Sequence, residues 1–158
     1  INDNNKDEII INFGPPYGIW AYGDGTWSNI HALSPKSMVT GDINGDNKDE
    51  IIINFGPPYG IWAYDNGTWS NILGLNPKLM VSGELNENGK SDIIIDFDNP
   101  YGIWVMYDTG TLSQLHAKTS EAIATGDLDG DNKDEVIIDF GANGGIWIRY
   151  GDGSWVNI

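Results

Sequence analysis

Residues 48–64 read KDEIIINFGPPYGIWAY, and residues 6–22 read the same without a change. Looser copies begin at Lys90 and Lys133. Trp20, Trp62, Trp104 and Trp147 mark one place in each copy, which sets a period of about 42 residues. Near-identity over such a stretch implies recent duplication, so each copy is expected to be one structural unit. A period of this length signals a repeat architecture, in which neighbouring units bury faces that none can bury alone.

Working outward from the quoted stretch, each unit reads as four short strands. Strand A is Ser37–Asp42, matched by Leu79–Glu84 and Ala122–Asp127. Strand B is the apolar run Ile51–Phe55, with counterparts beginning at Ile9, Ile93 and Val136. Its consecutive Ile residues lack the alternation of a half-buried strand, so burial on both faces is expected. Strand C is Gly60–Tyr64 and strand D is Thr68–Ile72. Asp65-Asn66-Gly67 lies between C and D, where Asn-Gly supplies the positive φ angles of a tight hairpin. Pro57-Pro58 keeps the B–C connection out of the ladder.

Four antiparallel strands in about 40 residues is the pattern of a propeller blade; a solenoid, the competing architecture, has shorter coils with fewer hairpin turns. The expectation is one all-β propeller repeat domain over residues 1–158, with repeats at about 1–36, 37–78, 79–121 and 122–158. One strand is missing from this pattern. Ile1 aligns with Ile43, so the first repeat lacks its A strand, the innermost of the blade, together with the opening acid of its loop. Two expectations follow: a processed or truncated product of a longer array, or completion of the ring by another copy.

The composition narrows the class further. Eight basic residues stand against 23 acidic ones, a formal charge of −15, which would repel nucleic acid. The chain has no Cys, which excludes disulfides and zinc–thiolate sites. No apolar run approaches a membrane span. Seven Trp, seven Tyr and four Phe are too many aromatics for a disordered acidic tail.

Most of the acids fall in one recurring loop between strands A and B. In the second repeat it runs Asp42-Ile43-Asn44-Gly45-Asp46-Asn47-Lys48-Asp49-Glu50. Side-chain oxygens at loop positions 1, 3, 5 and 9, with the carbonyl of position 7, can converge if the backbone turns tightly. That is the hard-oxygen shell calcium requires. The candidate ligands are Asp42, Asn44, Asp46 and Glu50, with the backbone oxygen of Lys48, whose side chain is expected to face solvent. The fourth repeat offers Asp127, Asp129, Asp131, the Lys133 carbonyl and Glu135, the strongest set. The third offers Glu84, Asn86, Asn88, the Lys90 carbonyl and Asp92, with fewer carboxylates. The first keeps Asn2, Asn4, the Lys6 carbonyl and Glu8 but lacks position 1, and is expected to be empty unless a neighbouring segment supplies an acid. An EF-hand would place its closing Glu where Ile53 stands and would be flanked by helices, so neither it nor a dockerin fits. Ordinary Asx turns are the simpler alternative. Against it stands the recurrence at fixed phase, with carboxylates close enough to repel without a cation.

The run GDINGDNKDEIII at Gly41–Ile53, echoed at Gly126–Ile138, resembles an FG-GAP/VCBS repeat, the unit of integrin-α-like propellers and of many secreted bacterial proteins. The resemblance spans essentially the whole chain and implies a propeller fold with calcium at the positions named. It also implies an extracellular or cell-surface location, in keeping with the weak calcium affinity of extracellular modules. Two features depart from it. Asn47 and Asn132 stand where the loop usually has Gly, and such rings usually have seven or eight blades, which makes two chains forming one ring attractive.

The aromatics suggest a second kind of site. Trp20, Trp62, Trp104 and Trp147 read as core packing between blades. Trp27, Trp69 and Trp155 recur in strand D near the expected rim, with Leu112 in their place in the third repeat. Tyr17, Tyr59 and Tyr101 lie in the B–C loop, where the fourth repeat has Ala142-Asn143-Gly144. Exposed rings beside Asn and Asp suit a sugar face with its hydroxyls. His31 and His116 hold loosely matching places, but Leu73 replaces them in the second repeat, and no Ser/His/Asp set or phosphate loop is recognisable. The expected function is therefore a non-catalytic calcium-binding module for assembly or adhesion, with glycans, cell-surface proteins or further copies of itself in rings or fibres as partners. A lectin using the Tyr and Trp residues is the first alternative. A non-catalytic part of a calcium-dependent polysaccharide lyase is the second.

Overall fold

The computed structural model describes residues 6–108 and 110–158. Its described elements are all strands: β1 (Ile9–Asn12), β2 (Ile19–Gly23), β3 (Thr26–His31), β4 (Ser37–Gly41), β5 (Glu50–Gly56), β6 (Gly60–Asp65), β7 (Thr68–Leu73), β8 (Leu79–Gly83), β9 (Asp92–Asp96), β10 (Ile103–Met106), β11 (Leu112–His116), β12 (Ala122–Gly126), β13 (Glu135–Asp139), β14 (Ile146–Arg149) and β15 (Trp155–Asn157). They form one three-stranded sheet, β1-β2-β3, and three four-stranded sheets: β4-β5-β6-β7, β8 through β11, and β12 through β15. Strands neighbouring in sequence pair antiparallel, as short hairpin loops require. The expected strands of the second, third and fourth repeats form these four-stranded sheets, with boundaries shifted by a residue or two. Among the described residues no helix is long and apolar enough to cross a membrane.

The chain divides into two compact units. The first holds Ile1–Met38 and Glu50–Asn76; the second holds Val39–Asp49 and Pro77–Ile158. In the first, Ile19, Ile51 and Ile53 form a buried cluster, with Phe55, Tyr64 and Trp69 packed against it. In the second, Ile94, Ile103, Val105, Val136 and Ile138 do the same, with Tyr107, Phe140 and Trp155 around them. The consecutive Ile residues of β5 and β9 are all buried, so the unalternating apolar run was a reliable sign of a strand covered on both faces.

Two local devices recur. The pairing of β2 with β3, β6 with β7, and β10 with β11 shifts register just after the first Ile of the middle strand. An amide side chain covers backbone carbonyls beside the shift: Asn29 Nδ2 donates to Ile19 O, Asn71 Nδ2 to Ile61 O, and Gln114 Nε2 to Tyr101 O. The B–C turn closes on Gly60, whose φ of +75° is in the left-handed region. A Cβ there would sit 2.3 Å from the Leu73 carbonyl oxygen, so only glycine fits.

The strand-C Trp residues share one hydrogen-bond pattern. Trp20, Trp62, Trp104 and Trp147 are half-buried. Each indole Nε1 donates at 2.8 Å to a carbonyl of the preceding turn, at Tyr17, Tyr59, Tyr101 and Gly144. The N–H needs a partner, and the turn carbonyl is nearer than anything in an Ile-rich core. Trp69 and Trp155 of strand D are the ones that pack on the cores.

Candidate metal centre

The loop between β12 and β13 lies wholly in the second unit. Asp127 directly follows β12, and its Oδ1 accepts the Gly130 amide at 2.7 Å while Oδ2 accepts the Asn132 amide at 3.1 Å. Asp129 Oδ1 accepts the Asp131 amide, and Asp131 Oδ1 the Lys133 amide. Gly130 and Asn132 take φ values of +85° and +66°, the two left-handed steps that coil the loop. Asn132 therefore serves at the place where the third loop has Gly89, as expected of a residue that tolerates this region.

The coiling gathers charge. One carboxylate oxygen each from Asp127, Asp129 and Glu135 lie within 4.8 Å of one another. Glu135, at the head of β13, is 0 % exposed. Its Oε2 accepts the Leu128 amide at 2.8 Å, but its Oε1 is buried without a hydrogen-bond partner. A buried carboxylate oxygen left so is costly, and two like charges at this spacing repel by about 3 kcal/mol at an effective dielectric near 20. A cation among the three removes both penalties, and oxygen-only donors suit a hard divalent ion such as calcium. The residues present therefore fit a metal.

The Lys133 side chain folds onto the cluster's edge: its Nζ lies 3.3 Å from Asp131 Oδ2 and 3.3 Å from Glu87 Oε2. Those neighbouring carboxylates raise its pKa. It thus contacts Asp131 from outside, whereas Lys48, expected to face solvent, is exposed.

The third loop is built alike with weaker donors. Glu84 Oε1 accepts the Asn86 and Asn88 amides, while its Oε2 is buried and unpartnered. Asp92, fully buried at the start of β9, accepts the Leu85 amide and lies against Asn86 Nδ2. Burial pushes its pKa up to about 6; backbone donors at Leu85 and Asp108 pull it down, and the Glu84 and Asp108 carboxylates push it up again. Asp108 was not among the sequence candidates. It comes from the hairpin after β10, its amide donates to Asp92 Oδ1, and its Oδ2 accepts from Asn88 Nδ2 at 3.1 Å. A faint signal existed: Asp65 and Asp108 share one place in the second and third repeats, where the others have Gly23 and Gly151.

In the second repeat, Asp42, Asn44, Asp46 and Lys48 belong to the second unit and make the same turns. Asp42 Oδ1 accepts the Gly45 amide and Oδ2 the Asn47 amide; Asn44 Oδ1 accepts the Asp46 amide, and Asp46 Oδ1 that of Lys48. Glu50 opens β5 in the first unit and is 2 % exposed. In the first repeat Asn2 and Asn4 lie outside the described residues. Lys6 Nζ pairs with Asp24 Oδ1 at 2.8 Å, and Glu8 is half-buried.

The aromatic candidates form shallow basins in the first unit. Phe13, Tyr17, Trp20 and Trp27 line an open hollow of about 560 Å³. His31, Leu33, Phe55, Tyr59, Trp62 and Trp69 line a smaller one of about 190 Å³. Tyr17, Tyr59 and Tyr101 are all more than half exposed. Trp155 packs against His116 at 5.6 Å between ring centroids.

Fold and site together define a class: an all-β array of antiparallel sheets whose inter-strand loops gather carboxylates able to hold a metal ion. No protein-family model matches the chain, and no curated protein matches it.

Proposed function

We propose that the chain is a non-catalytic, calcium-stabilised repeat module of the FG-GAP/VCBS type, a propeller-like array serving structural assembly or adhesion outside the cell. The observation that carries the proposal is Glu135: a fully buried carboxylate with one orphaned oxygen, beside Asp127 and Asp129. Calcium joins the A–B loop to the two strands it connects, so its role is to hold each sheet's inner pair together. The third loop, with two amides among its donors, binds more weakly. Isothermal titration with calcium tests this directly: saturable binding that Glu135→Gln weakens supports it, and no heat up to about 10 mM sinks it, since extracellular modules bind at about 0.1–1 mM.

The basin at Tyr59, Trp62 and Trp69 favours a second reading, glycan binding by ring stacking. Quenching of Trp fluorescence by a panel of monosaccharides, lost in Tyr59→Ala, supports that reading; an unchanged spectrum with every sugar removes it.

A further inference from the structure

The acidic loops of the second unit are tied to one another at one recurring place, the residue just before the buried acid that opens strand B. Ser91, before Asp92, donates its amide at 2.7 Å to the carbonyl of Asp42. Asp134, before Glu135, donates its amide at 2.6 Å to the carbonyl of Glu84. Each acceptor is the first candidate ligand of the loop one repeat earlier. Asp134 makes a second bond, because its Oδ2 accepts the Glu84 amide at 2.9 Å. Both backbone groups of Glu84 are thus held by one residue of the next repeat. The fit is close: a Cβ on Gly83 would lie 2.8 Å from that same Oδ2. Ser91 brings no carboxylate to Asp42.

The two ends of this tie both lead to candidate ligands. Asp134 stands between the Lys133 carbonyl and Glu135, whose side chain is fully buried with Oε1 orphaned. A cation that engages Glu135 therefore fixes the backbone on which Asp134 sits. On the other side, Glu84 Oε1 gathers the Asn86 and Asn88 amides, and its Oε2 is buried without a partner. Where those oxygens point depends on the backbone that Asp134 holds.

We propose that calcium binding in the fourth loop tightens calcium binding in the third, and that Asp134 is the positioning residue that transmits the coupling. The inference rests on the calcium reading of these loops. A donor already held in place loses less conformational freedom when the ion arrives, so filling one loop lowers the cost of filling its neighbour. Linkage makes the effect reciprocal, with the third loop tightening the fourth by the same factor.

Calcium titration of the full chain, followed by the amide NMR signals of Asn88 and Gly130, reads the two loops separately. Glu135→Gln weakens the fourth loop without replacing a donor of the third. It is expected to raise the calcium midpoint at Asn88 about five-fold or more. Asp134→Ser, which puts there the residue type found at this place in the third repeat, removes the carboxylate and keeps the backbone link. In that background the midpoint at Asn88 is expected to be the same with Glu135 or with Gln. A merely structural role for Asp134 would weaken both loops and leave the five-fold ratio standing, which overturns its assignment. A raised midpoint at Gly130 beside an unmoved one at Asn88 in Glu135→Gln overturns the coupling, whether or not the Asp134 variant folds, and spares the calcium reading. No response of either amide up to about 10 mM calcium removes that reading and this inference with it.

Discussion

Glu135 and Asp92 hold equivalent places at the head of a B strand, fully buried where the inner loop returns to the sheet. Without a cation, burial favours the protonated form of Asp92, whose pKa is pushed up to about 6. The sign for stability follows. An acid whose folded pKa exceeds its unfolded value, near 3.9, stabilises the fold while protonated, and that contribution is lost as pH rises from about 4 to about 6. In chelator, the melting temperature of the wild type is therefore expected to fall over this window relative to Asp92→Asn. Calcium, which needs the carboxylate, should reverse the trend; an identical profile for the two proteins would contradict the assignment. Glu87 gives a second prediction. It holds φ +61° at the loop position where the second and fourth repeats have Gly45 and Gly130. Glu87→Gly is expected to stabilise by about 1 kcal/mol in urea melts, minus a few tenths for its exposed pairing with Lys133.

At the scale of the element, the sheets depend on a few backbone conformations and on polar groups that tie one strand end to the next. Gly60→Ala places a methyl against the Leu73 carbonyl at positive φ, so a loss of about 2 kcal/mol or more is expected from equilibrium unfolding. Asp96 closes β9 differently. Burial works to raise its pKa, but donors at Ser120 N, Thr119 Oγ1, Ser120 Oγ and Asp98 N outweigh it, and the net shift is downward. Its contribution is therefore present above the unfolded pKa near 4 and is lost as pH falls through the depressed folded value. Asp96→Asn should reduce acid sensitivity below pH 4 while lowering stability at pH 7. These elements were largely legible beforehand because Ile51–Ile53 and Ile93–Ile95 lack alternation and Asn66-Gly67 is a hairpin turn whatever surrounds it. The indole hydrogen bonds of the strand-C Trp residues were not legible, because hydrophobicity alone cannot say whether an indole N–H has a turn carbonyl within reach. Asp108 escaped notice because it lies far along the chain from the loop it joins, and only the register of β9 with β10 brings it there.

For the whole molecule, 23 acids against eight bases make the fold sensitive to whatever neutralises its loops. Each site held at ten-fold excess over its dissociation constant adds about 1.4 kcal/mol, so three sites give about 4 kcal/mol, a large share of a domain's net stability. The all-β fold in several antiparallel sheets was readable from sequence, since the strand pattern recurs at a fixed spacing. The most direct test of the central claim is thermal melting of the wild type and Glu135→Gln at neutral pH, in chelator and in about 10 mM calcium. The account predicts a melting point for the wild type that falls steeply in chelator and returns with calcium, and a clearly smaller calcium response in the variant. A melting point indifferent to chelation in both proteins would contradict it and leave the loops as ordinary Asx turns.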